Sequence, residues 1–226
     1  MLYLTDDEKQ RIVDAIRPGF QERVNAYNSY LYPETIYEDL CAAFRDPARV
    51  APVDIENALR WKYGHWRKKD YPSAHHKLIE LIQSEWEAFR PLQAASPKEI
   101  FDWWGEILGR QHRFITNSFI LHLLRSSDIP IIDQNNFRSM NFYLCQVRAV
   151  WKSKGKPSQY SDLLTLREFM RSVVEQWTRD ATAPSLNMRL LDKYLMTFGQ
   201  WLKQGGAQRR TAHHGVQHSH SVIRDA

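Results

Sequence analysis

Ile129-Pro130-Ile131-Ile132-Asp133-Gln134-Asn135-Asn136-Phe137-Arg138-Ser139-Met140 takes the chain from extended backbone into a helix, with one carboxylate at the junction. Pro130 fixes its own φ and steers Ile129 away from the α region, so an apolar, extended approach to Asp133 follows. From Gln134 the pattern turns helical. Phe137, Met140, Phe142, Leu144, Val147 and Trp151 mostly suit one broad face, and Arg138, Asn141, Arg148 and Lys152 another. Asp133 therefore stands at or near an N-cap. One reading is capping alone, worth about 1 kcal/mol. The other uses the same place for chemistry: helix-start amides keep the carboxylate ionised, and the apolar lead-in shelters it from water. The two are compatible.

Outward from this stretch, helix signals follow one another with almost no competing strand pattern. Thr5-x-x-Glu8 reads as a capping box opening a helix through Ile16, before Pro18-Gly19. A second helix spans about 33–45, with Ile36, Leu40, Ala43 and Phe44 inward. Asp54 is placed as the cap of a third, and Ser73 as the cap of a fourth that carries Leu78, Ile79, Ile82, Trp86 and Phe89 as an apolar stripe. Ser96-Pro97-Lys98-Glu99 is the clearest start in the sequence: an N-cap serine, proline at the first helical position and glutamate at the third. That helix holds Phe101, Trp104, Ile107 and Leu108 and stops at Gly109; another runs from about Phe114 to Arg125, so the two form a helical hairpin. Later helices are expected over 134–151, 161–178 and 185–203. The expected class is all-α with about nine helices. Residues 1–206 read as one all-α unit of two lobes, in which about 1–96 with 157–206 pack around 97–156. Residues 207–226, rich in Arg, His, Ser and Gln, read as a disordered polar tail.

The composition narrows the function classes. With 226 residues, 43% hydrophobic and 12% aromatic, the chain is long enough for a sizeable core. No apolar run approaches the roughly 20 residues needed to span a bilayer. The start, Met1-Leu2-Tyr3-Leu4-Thr5-Asp6-Asp7-Glu8, lacks the basic segment and apolar core of a secretory signal, so a cytoplasmic location and no membrane partner are expected. Cys41 and Cys145 lie far apart with no C-x-x-C spacing, which leaves a zinc ribbon, a redox dithiol and a four-cysteine iron–sulfur cluster unsupported; both read as buried thiols. His75-His76 are adjacent rather than at i, i+4, and no metal site or cofactor is expected. The net charge of +5 favours an anionic partner.

The order helix, tight hairpin, helix, apolar extended segment and Asp at a helix start resembles the helix-hairpin-helix DNA glycosylase superfamily. Ile107-Leu108-Gly109 through Phe114-Ile115-Thr116-Asn117-Ser118-Phe119, then Ile131-Ile132-Asp133 and on to Arg138, carry the resemblance, which covers roughly residues 97–150. It implies a two-lobed helical fold, hairpin amides that hold a DNA phosphate, and an Asp that acts in base excision. By position Asp133 takes that role. The family hairpin carries two glycines one residue apart; here Gly109 is followed by Gln111 at the second place. Bifunctional members also carry a lysine that attacks the sugar. Counting from Gly109 puts Arg113 there and counting back from Asp133 points to Asn117, neither of which forms a Schiff base, so lyase activity by that route is not expected.

Breaking a base–sugar bond builds positive charge on the sugar, which a carboxylate stabilises while it orients water. The target base must enter a pocket with aromatic faces and amide edges. Candidates are Trp104, Tyr143 and the run Gln134, Asn135 and Asn136, against core packing or helix-start solvation as the plain alternatives. For phosphate the candidates are Gly109, Arg110, His112, Arg113 and Asn117 in the hairpin region, Arg138, and Arg60, Arg67 and Lys68 from the stretch Arg60-Trp61-Lys62-Tyr63-Gly64-His65-Trp66-Arg67-Lys68-Lys69, where cations interleave with aromatics. Arg148, Lys152, Lys154 and Lys156 make a further basic patch. The expected function is DNA binding with base excision by N-glycosidic hydrolysis; a non-catalytic DNA-binding module of the same fold and an all-α protein-interaction scaffold are the alternatives.

Overall fold

The computed structural model describes residues 2–109, 114–180 and 183–205, and every regular element among them is helical. The helices are α1 (Asp6–Ile16), α2 (Phe20–Asn25), α3 (Glu34–Ala43), α4 (Pro52–Lys62), α5 (Ser73–Phe89), α6 (Pro97–Leu108), α7 (Phe114–Leu124), α8 (Gln134–Val147), α9 (Tyr160–Thr178) and α10 (Met188–Lys203). Short 3₁₀ turns at Arg17–Gly19 and Arg90–Ala94 follow α1 and α5. Nine of the helices span ten residues or more; the short α2 had no clear periodicity to announce it. Residues 207–226 lie outside the described residues, and so does the expectation placed on them.

Local chemistry sets the helix starts. Thr5 Oγ1 accepts the Glu8 N–H at 3.2 Å while Glu8 Oε2 accepts the Thr5 N–H at 2.8 Å, and Ser96 and Glu99 repeat the exchange at α6. Asp54 is not an N-cap but stands one turn in: Pro52 opens α4, and Asp54 Oδ2 reaches back to the Ala51 N–H at 2.8 Å. Ser73 likewise opens α5 rather than capping it, because Pro72 holds the extended position before it. α8 ends at Val147, short of the expected Trp151. There Arg148 turns extended and its guanidinium leaves for Glu8 of α1, with Nη2 to Oε2 at 2.8 Å.

α7 lies in the middle of the molecule, with every residue except Ile115 buried. α3 packs on α4 and α7, α4 on α5, and α6 on α7; α1, α2, α8 and α9 gather around one another and α10. The buried side chains form one continuous apolar cluster. α8 and α10 come closest, because Gly199 has no side chain: a Cβ there would stand 2.0 Å from the Asn135 carbonyl oxygen. Cys41 is buried as expected, but Cys145 is exposed, since it falls on the outer face of α8. No described helix is long and apolar enough to cross a membrane.

Candidate functional site

Ile129, Ile131 and Ile132 are buried, and the extended chain they anchor delivers Asp133 to the start of α8 at φ −143° and ψ −179°. Asp133 Oδ1 accepts the backbone N–H of Asn135 at 2.6 Å and of Asn136 at 2.9 Å. Asn136 Oδ1 accepts the Asp133 N–H at 2.8 Å in return. The amide of Asn136 then donates to the Ile131 carbonyl at 2.8 Å and to Asp192 Oδ1 of α10 at 3.2 Å. Asn136 is fully buried, so every polar atom of its side chain is committed to holding this junction. Asp133 itself is half-buried, and among the described residues its Oδ2 accepts no hydrogen bond. One oxygen is spent on the helix start and the other is not.

Behind this junction lies a charge network that the sequence reading missed. Lys62 Nζ, enclosed at the end of α4, donates to the Ile132 carbonyl at 3.3 Å and lies 5.3 Å from the Phe119 ring centre. Burial lowers the pKa of its ammonium, and the negative charges of Asp133 and Asp192 oppose that shift. Arg189 donates from Nε and Nη2 to the two Glu34 oxygens at 2.9 and 3.0 Å, from Nη1 to Asp192 Oδ2 at 2.6 Å and from Nη2 to the Tyr27 hydroxyl at 3.0 Å. Its guanidinium carbon sits 4.3 Å from the Tyr37 ring centre. Lys193 Nζ reaches Glu34 Oε2 at 2.9 Å. Burial pushes the Asp192 carboxyl above its ordinary value, and Arg189 counters. Three carboxylates, Asp133, Asp192 and Glu34, thus share a region with Lys62, Arg189 and Lys193, which keeps buried charge compensated.

His122 of α7 closes the network. Its Nδ1 lies 2.6 Å from the Ile129 carbonyl and its Nε2 3.0 Å from the Tyr37 hydroxyl. A carbonyl only accepts, so Nδ1 carries the proton and Nε2 accepts from Tyr37. Burial drives its pKa down to about 3, and the ring is neutral. A cavity of ≈ 370 Å³ opens between α3, the residues after α7, α9 and α10, lined among others by Tyr37, His122, Ile131, Met170, Arg189 and Asp192. Asp133 is not part of its wall.

The remaining candidate residues are scattered. Gln134 is exposed; Asn135 accepts from Arg138 Nη1 at 2.8 Å, and the same nitrogen donates to the Gly199 carbonyl at 3.1 Å, so Arg138 ties α8 to α10. Four expectations are corrected. Trp104 is fully enclosed against Trp86 and Phe89 and offers no face to a base. Tyr143 is buried and its hydroxyl bonds that of Tyr194. Asn117 is buried, donating to the Phe101 carbonyl at 2.8 Å, and does not reach a phosphate. Asn136 braces Asp133 and, being enclosed, reads no base edge. Gly109 ends α6 at φ 76°, while Arg110, His112 and Arg113 lie outside the described residues. In the other basic patch Arg148 pairs with Glu8 and Lys154 with Asp162 at 2.7 Å.

The basic stretch covers the end of α4 and the turn after it, and its Lys62 reaches the carbonyl of Ile132, the residue before Asp133. Arg60 pairs with Glu56 at 2.8 Å, but Arg67, Lys68 and Lys69 are exposed, and the Arg67 guanidinium lies 4.5 Å from the ring centre of exposed Tyr30. Gly64 turns the chain at φ +64° hard against Tyr32: an added Cβ would stand 2.9 Å from the Tyr32 hydroxyl. Burial raises the pKa of Tyr32, and the nearby charge of Asp133 adds to the shift. Tyr32 therefore packs on the turn at Gly64 and feels the charge of Asp133. Comparison with protein families, curated proteins and solved structures finds no match.

Proposed function

We propose that this chain binds DNA and hydrolyses an N-glycosidic bond without lyase chemistry, with Asp133 as the carboxylate that stabilises the oxocarbenium-like transition state and orients water. The observation that carries the reading is the division of labour at Asp133: Oδ1 is held by two helix-start amides while Oδ2 is unengaged, so the group is fixed in place yet available. The exposed cations Arg67 and Lys68 with Tyr30 supply a phosphate-binding surface with an aromatic face alongside. Lys62 is too enclosed to attack a sugar, and its ammonium serves as a buried counter-charge to Asp133 and Asp192.

A non-catalytic DNA-binding module is the second reading, favoured by the absence of Asp133 from the wall of the cavity beside Arg189. One experiment separates the two. Duplexes carrying a panel of damaged and modified bases are titrated at several salt concentrations, and abasic product is quantified. Base excision expects salt-dependent binding and abasic product on at least one substrate. Salt-dependent binding with no product on any substrate selects the module, and no binding at moderate salt refutes both.

A further inference from the structure

A second cavity, of ≈ 380 Å³, lies between the Arg17–Gly19 turn, α2, α8 and α10, away from Asp133. Its size is that of a small-molecule site, roughly 300–1,000 Å³. Tyr143, Tyr194 and Phe198 form its buried part, and Phe142 and Trp201 its half-buried walls. The Tyr143 and Tyr194 hydroxyls bond each other, so what this pair contributes to the cavity is ring surface. Arg23 and Glu22 also line it.

Arg23 lies outside the charge network around Arg189. Its side chain is only 17% exposed, yet no hydrogen bond from its guanidinium is made to the described residues, and the nearest carboxylate is Glu22 at 3.9 Å on a side chain 77% exposed. The guanidinium carbon lies 4.8 Å from the Trp201 ring centre. Arg189, of similar exposure, places four donor contacts on Glu34, Asp192 and Tyr27. A guanidinium fork matches a planar acid two-pronged. An aromatic cavity whose wall carries a guanidinium with no hydrogen bond to the described residues, beside a Glu22 that turns mostly to solvent, has the complement of a flat, apolar ring that carries a single acid group.

We infer that this cavity binds a small aromatic carboxylate, with the acid on Arg23 and the ring against Phe142, Tyr143 and Phe198. The site is independent of DNA binding, and failure of either proposal leaves the other standing.

Isothermal titration of the full chain with 1-naphthoate, neutral 1-naphthalenemethanol and inorganic phosphate at one ionic strength tests it. Naphthoate is expected to saturate at one site and to bind at least about tenfold more tightly than the alcohol, the worth of a charge-assisted pair. Arg23→Gln is expected to remove that preference and Arg23→Lys to keep part of it, while Phe142→Ala weakens acid and alcohol alike. Phosphate, which lacks the ring, is expected not to saturate. The inference falls if naphthoate does not saturate, if acid and alcohol bind equally to the unaltered chain, if phosphate binds as tightly as naphthoate, or if Arg23→Gln, folded by circular dichroism, keeps full affinity. The acid–alcohol comparison needs no variant and decides the matter even where a substitution unfolds the protein.

Discussion

Asn136 and Asp192 meet across α8 and α10 through an Nδ2–Oδ1 hydrogen bond of 3.2 Å, with both residues buried. The same amide side chain receives the Asp133 N–H on its oxygen, so a residue in the core fixes the start of α8 and the carboxylate upon it.

Asn136→Ala removes the bonds to Asp133, Ile131 and Asp192 together. Leaving buried polar groups unpaired costs on the order of 1–3 kcal/mol, and about 3 kcal/mol of lost stability is expected in urea denaturation. A loss below about 1 kcal/mol would contradict the bracing assigned to it.

Arg189→Leu leaves Glu34 and Asp192 without their main partner, and removal of one side of a buried pair typically costs about 3–5 kcal/mol. The double variant Arg189→Leu with Asp192→Leu is expected to be more stable than Arg189→Leu alone, because the stranded buried carboxylate has gone. Additive losses in the double-mutant cycle would contradict direct pairing.

Stability falls on acidification, and His122 sets the upper part of the fall. Its folded pKa of about 3 lies below the ordinary 6.5, so above 6.5 it is neutral in both states, and between 6.5 and about 3 only the unfolded chain takes the proton. About 2 kcal/mol is expected to be lost between pH 7 and pH 5 from this group. Glu8, held down to about 2 chiefly by its hydrogen bond from Arg148, adds a loss of the same sign between 4.5 and 2, whereas the raised Asp192 pKa works in the opposite sense. His122→Gln should flatten the slope of unfolding free energy between pH 7 and 5; an unchanged slope would place the titrating group elsewhere.

Gly199→Ala pushes a methyl group onto the Asn135 backbone, where no side-chain rotation relieves it. Overpacking of this kind costs about 1–3 kcal/mol or more. A drop in melting temperature of several degrees is expected in a domain of this size, against no change for Gly155→Ala, which meets open space.

The extended entry and the capping role of Asp133 were legible, because proline geometry and N-cap chemistry are local rules that a sequence carries outright. The all-α class followed from the same rules applied end to end. The charge network was not. Lys62 stood in the sequence as one cation of a basic run, although its place three residues after Leu59 and seven after Ile55 puts it on the buried face of α4. Asp192, Leu195 and Gly199 share a face of α10 in the same way, which was a readable sign that a carboxylate points inward. Trp104 was misjudged for the reverse reason: aromatic type suggests stacking, but only packing shows that its ring is enclosed. Which helices meet is a long-range matter, and spacing along one helix does not report it.

The central claim rests on the open oxygen of Asp133, and Asp133→Asn isolates it. Asparagine caps a helix about as well as aspartate, so the variant keeps the Oδ1 contacts and is expected to hold its stability within about 1 kcal/mol. Single-turnover base excision by the two proteins, on any substrate that yields abasic product, is the direct measurement. At least about a hundredfold slower excision by Asp133→Asn, at equal DNA affinity, is the result predicted for a carboxylate acting on the transition state; equal rates would show that Asp133 is a helix cap and nothing more.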